Sequence, residues 1–208
     1  MAQSKPLYVY SDIETESFRA NIILQIAAIT ANNEKFSIYI NPEGPLPGKS
    51  IDVTGLYFHN NQLYRKGRAL PSVSIKKALN TFAKWLLSLD APVHLVFHNA
   101  FAFDILVLMR HFQKQNIPFP SCVLNVHDSL PAFRKFIKVS EISGFKLGAL
   151  AEHFKVTLAD AHNAIDDAGC LRDICEAFVK NKGMSIDDFL NSYIKPVSYF
   201  HAKLKPKK

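Results

Sequence analysis

Two adjacent acids stand in a stretch of chain whose spacing otherwise predicts a buried helix. The segment DAHNAIDDAG spans residues 160–169 and places Asp166 and Asp167 in the first turn of that helix. Asp167 lies four residues before Leu171, so it shares the apolar stripe predicted to face the interior, whereas Asp166 lies about 100° further round the axis. Because an unpaired buried carboxylate is costly, Asp167 needs a cation, either a lysine or arginine or a metal ion.

Three further acids stand where they could share that cation. Asp12 and Glu14 occupy positions i and i+2 of a predicted strand, so both side chains leave it on one face. Asp104 stands where VHLVFHNAFAFD passes from strand to helix. Each acid alone has a plain alternative, as a solvated strand end or as a first-turn acid that complements the helix dipole. Four carboxylates at one sheet edge would suit two Mg²⁺ or Mn²⁺ ions about 3.5–4 Å apart, an arrangement that favours phosphoryl transfer.

The predicted strands and helices that must position these acids follow one another in two different patterns along the chain. Three strands are predicted in a row, PLYVYSDIE, NIILQIAAITA and KFSIYINP, and helices then alternate with strands. The later strands are PVHLVFHN and SCVLNVHDSL, and the helices are SVSIKKALNTFAKWLLSL, FDILVLMRHFQKQ, LGALAEHF, a long one from Asn163, and SIDDFLNSYI with Ser185 as its cap. This order predicts an α/β fold in which helices cover a mixed sheet. We expect one domain over residues 1–181, and a short helix with a basic tail over 182–208.

Composition and charge narrow the class of protein. The 208 residues include 25 lysines and arginines against 18 acids, a net charge of +7 that favours a polyanionic partner such as nucleic acid. Cys122, Cys170 and Cys175 form no CxxC pair, which argues against a disulfide framework and a cysteine zinc site. The chain shows no signal-peptide pattern and no apolar stretch long enough to cross a bilayer. We therefore expect a soluble, intracellular protein with no membrane partner.

The three acidic segments resemble, in order, the motifs of the DEDDh (DnaQ-like) 3′→5′ exonucleases, a family with the RNase H-like fold. The first motif is DIET at residues 12–15, the second is HNAFAFD ending at Asp104, and the third runs from His162 to Asp167. The third lies within KLGALAEHF…DAHNAIDDA, which is typical of the family. The spacing from His98 to Asp104 and the segment IDVTGL resemble the three-prime repair exonucleases. The resemblance covers roughly residues 7–180.

The resemblance implies a five-stranded mixed sheet, with one strand antiparallel and helices on both faces. It implies that Asp12, Glu14, Asp104 and Asp167 are catalytic carboxylates that hold two Mg²⁺ ions, for which Mn²⁺ can substitute. It also implies that His162 is the general base that takes a proton from the attacking water. The plain alternative for His162 is a capping or core histidine.

The predicted activity is Mg²⁺-dependent 3′→5′ hydrolysis of DNA ends, single strands or 3′ overhangs first, with release of nucleoside 5′-monophosphates. An exoribonuclease with the same chemistry is the first alternative, because discrimination of the 2′-hydroxyl depends on fine geometry. A nucleic-acid-binding module with a decayed site is the second, and the intact acids and His162 argue against it. Two copies of the chain could pair through the edge strand KFSIYI to form a homodimer.

An exonuclease must also hold a strand end. The candidate substrate contacts are Glu14, Thr15, Phe18, His98, Asn99, Arg134 and Lys135. Glu14 and Thr15 would offer backbone groups to the terminal 3′-hydroxyl. Phe18 corresponds to the position where the family places an apolar wedge between the last two bases, and a turn residue folded into the core is an equal alternative.

The other candidate contacts have structural or solvated alternatives. Asn99 suits a helix-entry hydrogen bond, and His98 shares a strand face with His94. Arg134 and Lys135 belong to the segment FRKFIK, whose interleaved aromatics favour tracking of a nucleic-acid backbone with base stacking. For any single lysine of FRKFIK, of YRKGR at 64–68 or of the tail HAKLKPKK, solvated surface is the favoured alternative.

Overall fold

Strands and helices alternate through most of the chain in the computed structural model, which describes residues 5–16, 22–42, 44, 46, 51–52 and 54–204. The strands are β1 (Leu7–Thr15), β2 (Ile23–Thr30), β3 (Lys35–Ile40), β4 (Leu56–His59), β5 (Gln62–Arg65), β6 (Arg68–Leu70), β7 (Ser72–Val73), β8 (Val93–Phe97), β9 (Val123–Asp128) and β10 (Ile194–Pro196). The helices are α1 (Ile75–Ser88), α2 (Asp104–Lys114), α3 (Ser129–Phe136), α4 (Leu147–Phe154), α5 (Ala164–Lys182), α6 (Ile186–Leu190) and α7 (Val197–Lys203).

Among the described strands, seven form one mixed sheet in the order β10-β9-β8-β1-β2-β3-β7. β2 runs antiparallel to β1 and β3, and β10 runs antiparallel to β9, whereas β1, β8 and β9 are mutually parallel. The mixed sheet is confirmed, and β2 is the one antiparallel strand among the five that were predicted, but the sheet has seven described strands rather than five. The two extra strands, β7 and β10, have two and three residues. Such short segments carry too little periodicity to be recognised, and Ser72, Val73 and Ile194 fell in predicted helices.

Helices cover both faces of this sheet, as predicted. Alternate residues of β1 belong to different clusters: Val9 and Ile13 pack with buried residues of α1 and α2, whereas Tyr8 and Tyr10 pack with those of α3, α4, α5 and α6. Since side chains alternate along a strand, Asp12 lies on the same face as Tyr10. The acids of β1 therefore face α5, the helix that carries Asp167.

The parallel arrangement of β1 and β8 brings their carboxyl ends to the same edge of the sheet. Asp12 and Glu14 lie in the last part of β1. The loop that follows β8 leads to Asp104, the first residue of α2. The topology thus brings three of the predicted acids from two elements to one edge.

A second sheet, formed by β4, β5 and β6, was missed by the sequence analysis. Its two connections are two-residue turns, Asn60–Asn61 and Lys66–Gly67, and each of these residues has a positive φ between 48° and 81°. Those angles are typical of type I′ hairpins. Leu56 and Leu63 pack against Leu24 of β2 and hold this small sheet on the large one.

Serine residues cap two of the described helices, and Ser185 is the cap that was predicted. Ser74 accepts a hydrogen bond from the backbone N–H of Lys77 at the start of α1, and Ser185 accepts one from Asp188 at the start of α6. Beyond α6 the chain adds β10 and α7, which bury Phe200 in the core. In the part of the chain that the structure describes, no helix combines the length and the apolar character needed to cross a membrane.

Candidate active site

Three carboxylates meet where the end of β1 faces the start of α5. Oxygen atoms of Asp12, Glu14 and Asp167, which we call the carboxylate cluster, lie within 4.8 Å of one another. Glu14 and Asp167 are only 7% and 8% exposed. The helix register predicted from sequence is confirmed, because Asp167 is buried while Asp166 is half-buried and accepts a hydrogen bond from the Asn163 side chain at 2.7 Å.

Asp104 lies beside this cluster rather than within it. It is 6% exposed, and its carboxylate accepts a hydrogen bond from the backbone N–H of Ile13, between the two acids of β1. Its charge also raises the pKa of both Asp12 and Glu14. The fourth predicted acid is therefore close enough to interact with the other three, although its oxygens are not among those within 4.8 Å of one another.

The electrostatics of the four acids are unfavourable without a cation. Burial, followed by the charges of the neighbouring acids, raises the pKa of Asp12 well above its ordinary value. Burial is also the largest cause that raises the pKa of Glu14 to about 8, of Asp104 to about 7 and of Asp167 to about 6. Like charges in a region of low dielectric repel strongly, so the set is stable in its ionised form only with positive charge nearby. A donor set made only of carboxylate oxygens fits a hard divalent cation such as Mg²⁺ or Mn²⁺.

His162 lies next to the carboxylate cluster through its backbone. Its N–H donates to Asp167 Oδ2 at 3.0 Å, and the residue as a whole is exposed. Its φ of 63° puts it in the left-handed region, which non-glycine residues rarely adopt. The histidine therefore occupies a fixed turn immediately before Asn163, the N-cap residue of α5.

A buried glutamine on β2 fixes the start of α5. Gln25 is fully buried; its Oε1 accepts from the backbone N–H of Ala164 at 3.1 Å, and its Nε2 donates to Asn163 Oδ1 at 2.8 Å. Gln25 thus satisfies a first-turn N–H that the Asn163 side chain does not cap. This contact was not predicted, because 139 residues separate its two partners in the sequence.

A buried arginine on the small sheet reaches the same turn. Arg65 is 8% exposed, forms an ion pair with Asp160 and donates from Nη2 to the carbonyl of His162 at 3.2 Å. Its charge lowers the pKa of both Glu14 and Asp167, against the larger effect of burial. In the sequence this residue was noticed only as part of the basic segment YRKGR, and its burial follows from its inward position on β5.

A buried aspartate organises the loop that carries Asp104, and it was also missed. The Asp128 carboxylate accepts from the backbone N–H of Asn99 at 3.0 Å, of Phe101 at 3.0 Å and of Leu130 at 3.1 Å. It therefore caps α3 and holds the turn between β8 and α2. The available signal was an acid directly before Ser129, an N-cap pattern, but no helix was predicted over Ser129–Phe136.

The predicted substrate contacts differ in how they are placed. Both ring nitrogens of His98 are engaged within the protein, with Ser129 Oγ at 2.8 Å and the carbonyl of Phe145 at 2.7 Å, and burial lowers its pKa to about 4. Asn99 has a φ of 74° and its N–H binds Asp128, so its backbone forms part of the turn. These contacts favour the structural alternative for both residues.

The remaining contacts lie at the surface or outside the described residues. Thr15 ends β1 at a register irregularity and is half-buried. Arg134 and Lys135 are exposed, and their cationic groups lie over the rings of Phe145 and Phe136 at 5.8 Å and 5.1 Å from the centroids. Phe18 falls outside the described residues.

Comparison with known proteins adds independent information. The RNase T family model, described as an exonuclease, matches residues 9–174. A DNA polymerase III PolC-type protein from Caldanaerobacter subterraneus is 29% identical over 180 residues, which are 83% of this chain and 11% of the polymerase. The 3′-5′ exonuclease DinG from Bacillus subtilis is 27% identical over 172 residues, 79% of this chain and 17% of that protein. The chain therefore spans only a small part of the length of these relatives.

Solved structures show the same fold. The Escherichia coli exonuclease I–single-stranded DNA complex in its zinc-bound form superposes with a TM-score of 0.67 at 18% identity, over 90% of this chain and 43% of the other. A product-bound structure of exonuclease I gives a TM-score of 0.67 at 14% identity, over 91% of this chain and 46% of that one. At these identities the likeness concerns the fold alone.

Proposed function

We propose, on the premise that this chain belongs to the RNase T exonuclease family, that it removes nucleotides one at a time from the 3′ end of DNA. Single strands or 3′ overhangs would be the preferred substrates, and nucleoside 5′-monophosphates the products. The observation that carries the proposal is the meeting of Asp12, Glu14 and Asp167 within 4.8 Å, with Asp104 alongside. Assignment to the three-prime repair subgroup stays a prediction, since the relatives described above are a PolC-type polymerase and DinG.

The four acids are the residues that would hold two Mg²⁺ ions, or Mn²⁺ in their place. Their burial and the repulsion from neighbouring acids support this role, because a divalent cation would offset both effects that raise their pKa values. When bound, such ions supply Lewis-acid activation of water and stabilise charge that develops on the phosphate and the leaving oxygen.

The side chains of the protein then have separate tasks. His162 would accept the proton from the attacking water, a role for which imidazole is the commonest choice. Its exposure and its backbone bond to Asp167 support this assignment, because the ring can reach solvent from a fixed position beside the acids. Asp104 would keep the edge of β1 in place through Ile13 while it completes the negative charge of the site.

DNA is the proposed substrate for two reasons. The net charge of +7 suits a polyanion, and the exposed Arg134 and Lys135 offer cations beside aromatic rings. The PolC-type relative is named as a DNA polymerase, and exonuclease I is described in complex with dT13 and dA16 oligonucleotides. These names support DNA over RNA for this chain.

Digestion of end-labelled strands tests the proposal. A 5′-labelled single-stranded DNA should shorten stepwise, a 3′-labelled strand should release labelled mononucleotide at once, and EDTA should stop both reactions. A matched RNA strand should be degraded more slowly. Internal cleavage of a circular strand, or a rate unaffected by EDTA, would contradict the proposed chemistry, and faster loss of the RNA would change the substrate.

A further inference from the structure

A buried arginine joins three segments of the chain at the rim of the site. Arg65 Nε donates to the carbonyl of Thr54 at 3.2 Å, Nη2 donates to the carbonyl of His162 at 3.2 Å, and Nη1 pairs with Asp160. These partners come from the segment before β4 and from the turn before α5. One planar guanidinium, with donors fixed in a fork, is suited to hold such partners in a single geometry.

The ion pair with Asp160 does not by itself explain why this arginine is buried. Lys66, the next residue, is exposed and donates to the other oxygen of Asp160 at 2.6 Å. Asp160 therefore already has a cationic partner at the surface. What Arg65 adds is the pair of hydrogen bonds to backbone carbonyls, of which one belongs to His162.

His162 is held through its backbone from two sides. Its N–H donates to Asp167 Oδ2 at 3.0 Å, and its carbonyl accepts from Arg65. Between these bonds the residue has a left-handed φ of 63°, which costs a non-glycine residue free energy. The two bonds stabilise that conformation and connect it directly to one acid of the carboxylate cluster.

We propose that Arg65 is a positioning residue for His162. By binding the carbonyl, Arg65 keeps the left-handed turn that presents the imidazole beside the carboxylate cluster, and the small sheet of β4, β5 and β6 delivers it there. This inference rests on the proposed function, in which His162 accepts the proton. Loss of Arg65 therefore slows the chemical step and leaves the affinity for the nucleic acid largely unchanged.

A double-mutant cycle under single-turnover conditions tests this role. Arg65→Met is expected to lower the rate of the chemical step by about 10–100-fold, with the concentration of DNA for half-maximal rate within about threefold. The matched control Lys66→Met, which loses only a contact to the same Asp160, should stay within about twofold. In a His162→Ala background at saturating Mg²⁺, which offsets the loss of the Arg65 charge at Glu14 and Asp167, Arg65→Met should have no further effect beyond about twofold, because the group that it positions is gone.

The outcomes separate this inference from the proposed function. Equal losses from Arg65→Met with and without His162 would overturn the positioning role, as would an unchanged rate in the single variant. Failure of the wild-type protein to release mononucleotides with Mg²⁺ would instead reject the proposed function.

A second variant covers the case in which Arg65→Met does not fold. Arg65→Lys keeps a charge for Asp160 but has a single donor group for three partners, so an intermediate loss of about 3–10-fold is expected. That loss should also vanish in the His162→Ala background, and its persistence there would count against the inference. Assays are run well below the melting temperature of each variant, which circular dichroism gives.

Discussion

Two clusters of polar side chains lie on the same face of the large sheet, one at the carboxyl end of β1 and the other on β8 and β9. At the carboxyl end lies the carboxylate cluster of Asp12, Glu14 and Asp167. On β8 and β9 lies a chain of hydrogen bonds through His94 and His127, which we call the histidine chain. Both clusters are largely buried, yet they differ in whether the protein satisfies them.

The histidine chain is complete within the protein. His127 Nδ1–H donates to the carbonyl of Leu190 at 3.0 Å, and since the other ring nitrogen must then accept, His94 Nδ1–H donates to it at 3.1 Å. His94 Nε2 in turn accepts from Asn125 Nδ2 at 3.0 Å. Burial lowers the pKa of both histidines, that of His127 to about 4, so both are neutral near pH 7.

The carboxylate cluster, in contrast, has too little positive charge within the protein to balance its acids. Burial and the charges of neighbouring acids raise the pKa of each acid, and the only opposing charge that acts on Glu14 and Asp167 in the described residues comes from Arg65. A buried polar network that is satisfied stabilises a fold, whereas one left short of positive charge marks a place where a ligand completes it. The comparison therefore separates a structural cluster from a candidate site without reference to relatives.

The largest expected effect comes from removing one charge of the carboxylate cluster. Asp167→Asn keeps the side-chain shape and should lower the rate of mononucleotide release by about 10³-fold or more, because a ligand of the proposed ions loses its charge. Asp166→Asn, one position away, is the matched control and should stay within about threefold of the wild-type rate. Release from a 5′-labelled single strand measures both, and a loss confined to the control would show that the roles of these two acids are reversed.

A change in the histidine chain should act on stability instead of activity. His127→Leu leaves the Leu190 carbonyl and a His94 ring nitrogen without a partner, which should lower the free energy of unfolding by about 2–4 kcal/mol. The rate of the folded protein should change by no more than about twofold, since the hydrogen bonds of this cluster involve none of the four acids. Urea denaturation measures the first quantity, with the exposed His59→Leu as the control. A large loss of rate in His127→Leu at unchanged stability would contradict the structural role of the histidine chain.

Without divalent cations, relief of repulsion at the acids should stabilise the protein. Asp12→Asn should raise the melting temperature in EDTA, by about 2–4 °C for each kcal/mol of repulsion removed. Added Mg²⁺ should stabilise the wild-type protein and leave this variant unchanged. Scanning calorimetry with and without Mg²⁺ measures both, and a lower melting temperature of the variant in EDTA would contradict the electrostatic description of the cluster.

The histidine chain also predicts the sign of a pH effect. The pKa of His127 is about 4 in the folded protein against an ordinary value of 6.5, so the unfolded chain binds more protons between these values. The stability due to neutral His127 is therefore fully present above pH 6.5 and is lost as the pH falls toward 4. Relative to His127→Gln, the wild-type free energy of unfolding should fall by up to about 1.4 kcal/mol per pH unit in this window. Parallel pH profiles of the two proteins would contradict the assignment.

The sequence was sufficient where a regular period positions a side chain. A two-residue period placed Asp12 and Glu14 on one face of β1, and a helical period turned Asp167 inward and Asp166 outward. The type I′ hairpins of the small sheet also have a sequence signal, in Asn60–Asn61 and Lys66–Gly67, although neither hairpin was predicted.

The parts that sequence could not provide are contacts between distant residues. The partners of Arg65 in the turn before α5 lie 95 and 97 positions away, and Gln25 reaches Ala164 across 139 positions. Nothing in the local pattern of YRKGR or of β2 indicates which partner such a side chain will meet. The predicted base was recognisable, but the groups that hold it depend on the tertiary fold.

Titration with Mn²⁺, followed by calorimetry or by its paramagnetic signal, tests the central claim most directly. The wild-type protein and Asp166→Asn should bind the ion with similar affinity, whereas Asp12→Asn and Asp167→Asn should each bind it at least about tenfold more weakly. Equal affinity in all four proteins would show that the acids at the end of β1 and the start of α5 do not form the metal site.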